Sequence, residues 1–284
     1  MDLDRVSTDA LAAFAVFAEH RNFTRAAAEL AVAQPSLHAK VRRLQASLGR
    51  PLYARRGREL VLTPEGERVA RFARELDARV GGFLAELTGS PARRPVLAAG
   101  EGAYLYLLGE AVRAVPGLRL LNGDRARTLA AVRTGRADVG VAVLDVLPAD
   151  LEAVPLARYP QVLVMPADHP LAARATLELA DLAGEALVVP PPPGPHRVAL
   201  ERALRATDVP WTVAVEAAGW PLMLHFAALG VGPAVVNGCV RTPPGLVRRE
   251  ITDLPPVPYY AVRVPGRTDP ACAELLAAIR AHLP

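Results

Sequence analysis

FTRAAAELAVAQPSLHAKVRRLQASLGRPLYARRGRELVLTPEG, residues 23–66, decides the fold of the first third of the chain. Leu37, Val41, Leu44 and Leu48 step by four, three and four, one buried stripe of a helix with Pro35 in its first turn and Gly49 at its end. The opposite side carries Pro35, His38, Ala39, Arg42 and Arg43, with His38 packing sideways as an alternative. A short helix near Thr24, led in by Asn22 or Phe23, comes before it, and residues 31–33 make a tight turn. After it, two short extended runs flank Arg55-Arg56-Gly57-Arg58, the pattern of a β-hairpin with a basic tip.

Upstream, Leu11, Phe14, Phe17 and Ala18 line one side of an opening helix for which Thr8 is the expected cap. Downstream, Thr63 and Pro64 open a further helix. Along it Val69, Ala73, Leu76, Val80, Phe83 and Leu87 alternate by four and three, the spacing of a seam that closes on a partner helix. A homodimer is expected; a helix packed on its own domain is the alternative, and Gly81-Gly82 is a place for it to bend. TGSPARRP, residues 88–95, has linker composition. Beyond it strands alternate with helical segments from VLAAG to ADVGVAVL, the mark of an open, largely parallel α/β sheet. A second such unit starts near Gln161, and the strand near residue 260 with the last helix can return to the first.

Charge sharpens this reading. The 284 residues carry a net charge of only +4, yet between Gln34 and Arg58 stand Lys40, Arg42, Arg43, Arg50, Arg55, Arg56 and Arg58 with no Asp or Glu. Three helices and a basic hairpin form the plan of a winged helix-turn-helix, whose recognition helix buries one stripe and offers hydrogen-bond donors on the other. Gln34 suits adenine, Arg42 guanine or phosphate, and Ser36, Lys40 and Arg43 phosphates. Pro35, His38 and Ala39 share that exposed side, Thr24 opens the preceding helix, and Arg55, Arg56 and Arg58 suit a minor groove or the backbone.

The same residues carry a resemblance. Ala26-Ala27, Leu30, Gln34-Pro35-Ser36-Leu37, Arg42-Arg43-Leu44, Leu48-Gly49, Pro51-Leu52-Tyr53 and Leu62-Thr63-Pro64-Glu65-Gly66 are similar, without a gap, to the amino-terminal domain of the LysR-type transcriptional regulators. The chain departs from that pattern at Ala33, His38, Ala39 and Gln45, so its operator preference is expected to be its own. The resemblance implies α/β architecture overall: a winged helix-turn-helix at 1–63, a linker and dimerisation helix at 64–87 and a hinge at 88–95. Two Rossmann-like subdomains of periplasmic-binding-protein type follow, the first at 96–160 and 265–284, the second at 161–264. It implies a homodimer or homotetramer on an inverted-repeat operator in double-stranded DNA, a small-molecule effector of unknown identity between the subdomains, and RNA polymerase as a candidate partner.

Ligands of open α/β sheets bind beyond the carboxyl ends of the strands. The loops there supply the effector-binding candidates Glu101, Gly102, Ala103, Tyr104, Asn122, His196, Arg197 and Asn237. Glu101 falls where many of the resembled regulators carry Ser or Thr, and a carboxylate there repels an anion unless Arg197 or His196 compensates. Gly100-Glu101-Gly102 with Asp124 is only a partial dinucleotide motif, because Leu105 takes the third glycine position. No paired-carboxylate, Ser-His-Asp or HExxH arrangement stands out, so neither catalysis nor a cofactor or metal is expected. The rivals, a solute-capture protein and a nucleotide-cofactor enzyme, lack a leader segment and a hydride-transfer partner respectively. With no apolar run long enough to span a bilayer, a cytoplasmic protein without a membrane partner is expected. Cys239 and Cys272 read as ordinary buried thiols, with a redox switch as the alternative.

Overall fold

The computed structural model describes residues 6–57, 59–88, 94–266 and 270–283. The amino-terminal domain packs helices α1 (Thr8–His20), α2 (Phe23–Glu29) and α3 (Gln34–Leu48) beside a hairpin of β1 (Tyr53–Arg56) and β2 (Glu59–Leu62). Ser7, one residue before the expected Thr8, caps α1 by accepting the Ala10 N–H at 3.1 Å. Asn22 caps α2 by accepting from Thr24 and Arg25. Leu37, Val41 and Leu44 are buried to within 1% and join Leu11, Phe14 and Phe17 in one core. An aromatic cluster closes its lower end, with the rings of Phe17 and Phe23 stacked at 4.1 Å and Tyr53 edge-on to both.

Leu52 ties α3, the hairpin and the next helix together. It is fully buried; its N–H donates to Gln45 Oε1 at 2.8 Å, and its carbonyl accepts from the Thr63 N–H at 3.1 Å. Gln45, a departure from the resembled pattern, is therefore a structural residue. Helix α4 (Pro64–Thr88) then begins against that carbonyl so closely that a Cβ on Gly66 would stand 1.8 Å from Leu52 O. Helix α4 runs unbroken through residues 81 and 82.

The remainder forms two sheets. The first holds β3 (Val96–Ala99), β4 (Arg119–Asn122), β5 (Val139–Val143), β6 (Glu152–Tyr159) and, much later in the chain, β13 (Val257–Arg263), in the order β4-β3-β5-β13-β6. Its helices are α5 (Glu101–Tyr106), α6 (Gly109–Ala114), α7 (Arg125–Arg133) and α10 (Pro270–Ala281). The second has the order β10-β9-β11-β7-β12-β8, with β7 (Gln161–Pro166), β8 (Thr176–Leu177), β9 (Ala186–Val189), β10 (Thr212–Glu216), β11 (Ala234–Asn237) and β12 (Leu246–Ile251). Helices α8 (Pro195–Ala206) and α9 (Trp220–Ala228) cover it. Each sheet has apolar cores on both faces.

Two expectations are corrected. The sheets are mixed rather than largely parallel, because β13 pairs antiparallel with β5 and β6, and β7 pairs antiparallel with β11 and β12. Residues 257–263 return to the first sheet, as the reading of the strand near residue 260 allows, so the second unit ends before them and not at 264. The chain crosses between the sheets twice, at Pro160 and at residues 252–256, and Gln161 Nε2 joins the crossings by donating to Pro255 O at 3.0 Å.

Gly66→Ala is expected to lower the stability of the amino-terminal domain by roughly 1–3 kcal/mol, since its new methyl overlaps a backbone carbonyl that cannot move without breaking the Leu52 bonds. Thermal unfolding of the full-length variant measures this; an unchanged midpoint contradicts the tight junction.

Candidate nucleic-acid face and effector cleft

With its leucines turned inward, α3 presents Gln34, Pro35, Ser36, Ala39, Arg42 and Arg43 as exposed residues. Arg55 and Arg56 are exposed on β1, and Thr24 on the first turn of α2. Arg58 lies outside the described residues. Among the described residues no carboxylate pairs with Arg42, Arg43, Arg55 or Arg56.

Two residues assigned to this face are placed differently. Lys40 turns toward α1, its Nζ 2.7 Å from Asp9 Oδ2, so this cation is partly neutralised within the protein. His38 packs sideways: its ring stands edge-on to Phe23 at 4.9 Å, with Nε2 3.5 Å from the Tyr53 hydroxyl. The sequence alone places His38 on the outer side, with sideways packing as the alternative, and offers Lys40 to a phosphate; the aromatic cluster and the neighbouring α1 draw the two aside.

The seam on α4 divides. Ala73 is buried, and Val69 and Leu76 pack partly, against the domain's own core. Val80, Phe83 and Leu87 are 46%, 59% and 67% exposed, and Phe72, absent from the expected seam, is 55% exposed on the same side. The own-domain alternative therefore holds for the first half of the helix and leaves an apolar strip on the second.

A cavity of about 650 Å³ opens between the two sheets at the carboxyl ends of their strands. Glu101, Gly102, Ala103, His196 and Asn237 line it, and Tyr104, Asn122 and Arg197 do not. The Tyr104 hydroxyl turns back to the carbonyls of Leu97 and Leu121, at 2.8 and 3.1 Å, and burial pushes its pKa up to about 12. Asn122 opens onto a separate cavity of about 600 Å³ beside Glu19 and Arg74. Arg197 is buried on the far side, bound to Glu201, Glu216 and Pro190 O with Trp211 beneath its guanidinium.

Sequence reasoning missed Trp220, Asp145, Gln161 and the stretch Pro255–Tyr259, all of which line the cavity. A lone tryptophan before Pro221 at a helix start was the one visible sign of the first. Its ring packs on Gly102, where a Cβ would stand 2.8 Å away. Arg125, the only guanidinium in the lining, pairs with Asp145 at 3.2 Å. His196 Nε2 donates to Val235 O at 2.8 Å, and burial depresses its pKa, so the ring is neutral at neutral pH and Nδ1 is left as an acceptor. Asn237, 3% exposed, donates from Nδ2 to the Tyr259 hydroxyl at 3.0 Å, while its Oδ1 has no hydrogen-bond partner among the described residues.

Cys239 sits beside Tyr259 at 4.0 Å, and burial pushes its thiol up to about 11; Cys272 is buried under the first sheet, 3.7 Å from Asp138 O. A thiol protonated at neutral pH is a poor nucleophile, which favours the ordinary buried-thiol reading. Among the described residues no cluster suits a metal ion, and no helix is long and apolar enough to cross a membrane.

Known proteins match this arrangement. Residues 8–67 match the bacterial regulatory helix-turn-helix protein family of lysR type, and residues 97–284 match the LysR substrate binding domain. The RuBisCO operon transcriptional regulator of Allochromatium vinosum is 29% identical over 205 residues, 69% of this chain and 68% of that protein. Full-length OxyR from Pseudomonas aeruginosa, as a single-residue variant, superposes with a TM-score of 0.75 at 24% identity, covering 96% of this chain and 97% of that one. CbnR complexed with its target DNA superposes at 0.57 with 20% identity over 98% and 99% of the two chains, a likeness of fold. A head built to bury leucines and expose arginines, and a cleft between two mixed sheets, thus stand where a family of regulators has its two domains: the chain belongs to the LysR family of DNA-binding transcription regulators with an effector-binding domain.

Proposed function

We propose that this regulator binds an inverted-repeat operator as a homodimer or a tetramer built from such dimers, with α3 in the major groove and the β1–β2 hairpin at the neighbouring minor groove. One observation carries the reading: Arg42 and Arg43 project from α3 on the side opposite the buried Leu37, Val41 and Leu44, with Arg55 and Arg56 beside them on the wing. A cationic surface on an exposed helix fits a polyanion, and the donors of Gln34 and Arg42 fit base edges. The exposed strip of Phe72, Val80, Phe83 and Leu87 on α4 supplies the dimer contact, since two such strips bury each other at helical spacing. Two-fold symmetry of the heads demands a two-fold operator.

The cavity between the sheets takes the effector. Its occupant changes the angle between the subdomains and the spacing of paired heads, and through them the contacts made at the promoter, with RNA polymerase the partner on which those contacts act. The protein works in the cytoplasm, where its operator is.

Arg42→Ala is expected to weaken operator binding by roughly 1–3 kcal/mol and to relax the preference at one base pair, whereas Arg43→Ala weakens binding alike on all sequences. Binding isotherms across single-base operator variants separate the two; equal, sequence-independent losses place both on phosphates. Phe83→Glu puts a charge in the proposed seam and is expected to yield monomers in sedimentation. A dimer of unchanged mass rules out the α4 strip. Cys239, with its thiol near 11 instead of 9, holds about 100-fold less thiolate at pH 7 than an unshifted cysteine. Its alkylation by iodoacetamide in the folded protein should be slower by that factor and rise about tenfold per pH unit up to that value. Mass-spectrometric rates as fast as those of the unfolded chain restore a redox role.

A further inference from the structure

The side chains lining the effector cavity are rich in acceptors and poor in free donors. Glu101 brings a carboxylate at the start of α5, its oxygens 3.4 and 3.6 Å from where a Cβ on Gly219 would stand, so it faces α9 of the other sheet across the cleft. Asn237 Oδ1 accepts from none of the described residues, but the atom itself is buried rather than open to the cavity. His196 uses its one proton on Val235 O. The single cation, Arg125, is tied to Asp145. With that pair offsetting itself, the charged groups of the lining sum to one negative charge, that of Glu101.

An anionic effector would meet the Glu101 carboxylate with no free side-chain cation to hold it, and the buried Arg197 cannot turn in without leaving Glu201 and Glu216. Trp220, Met223, Pro256 and Val257 give the lining an apolar side, and the indole face of Trp220 attracts a cation as well as an apolar body.

The geometry points to an organic amine as the effector: an alkyl- or arylammonium whose N–H groups pair with Glu101 and whose body lies against Trp220. This rests on the reading of the cavity as the effector site. Volume agrees, since about 650 Å³ holds a compact metabolite.

The test uses the full-length protein and three probes of matched shape: 2-phenylethylamine, 2-phenylethanol and 3-phenylpropanoate. The chain has two tryptophans, so Trp211→Phe leaves Trp220 as the sole indole and its emission reports occupancy of the cleft. Calorimetry should show the amine binding on the order of tenfold or more tighter than the alcohol, with the carboxylate weakest. The amine should shift the Trp220 emission, and Glu101→Gln should bring its affinity down to that of the alcohol while leaving the alcohol unchanged. The proposal is overturned if the amine fails to bind, if the carboxylate matches it, or if Glu101→Gln leaves the ranking intact. Binding of any probe with no change in Trp220 emission instead removes the cavity from its role as effector site.

Discussion

Burial of one stripe of α3 is the constraint on which the head of this protein depends. Leu37, Val41 and Leu44 each contribute roughly 1.5–3 kcal/mol by leaving water, and they can do so together in only one rotation of the helix. That rotation sends Arg42 and Arg43 outward. The arginines contribute little to holding the fold, so a surface suited to DNA is a by-product of where the leucines go. Leu52 fixes the remaining freedom, because its two backbone bonds and the close approach of Gly66 set where the hairpin and α4 start relative to α3.

The amino-terminal domain was legible because its determinants are local. Periods of three and four, a proline at a helix start and a glycine at φ +64° after Leu48 act over a few residues and survive any tertiary context. What failed there failed where a second element intervenes: Lys40 meets Asp9 from α1, and His38 meets Phe23 and Tyr53. In α4 the spacing marks one side of the helix, but period alone does not say how much of that side the domain itself already uses.

The cleft was only half legible. Strand ends locate it, so Glu101, Gly102, Ala103, His196 and Asn237 follow from the rule for open sheets. The rule does not say which way a loop side chain turns, and Tyr104 and Arg197 turn to backbone carbonyls and carboxylates behind the sheets. A return of the strand near residue 260 to the first unit was legible, but its antiparallel place beside β5, which brings residues 255–259 into the cleft, was not. That pairing spans more than a hundred residues of chain from β5 to β13 and leaves no local mark.

That return also explains how a cleft ligand can matter to the rest of the molecule. Two crossings, at Pro160 and at residues 252–256, join the sheets, and a few contacts already bridge them: Asn237 to the Tyr259 hydroxyl, and Trp220 on Gly102 and Tyr106. A ligand shifts an equilibrium only by the difference in its binding to the two states. One that touched a single sheet would bind equally well at every angle between them and change nothing. The lining of this cleft is divided, Glu101 and Gly102 from the first sheet and His196 and Trp220 from the second, so a ligand that touches both halves can do so over a narrow range of angles. The division of the lining between two sheets, more than the volume of the cavity, is what makes the site able to regulate.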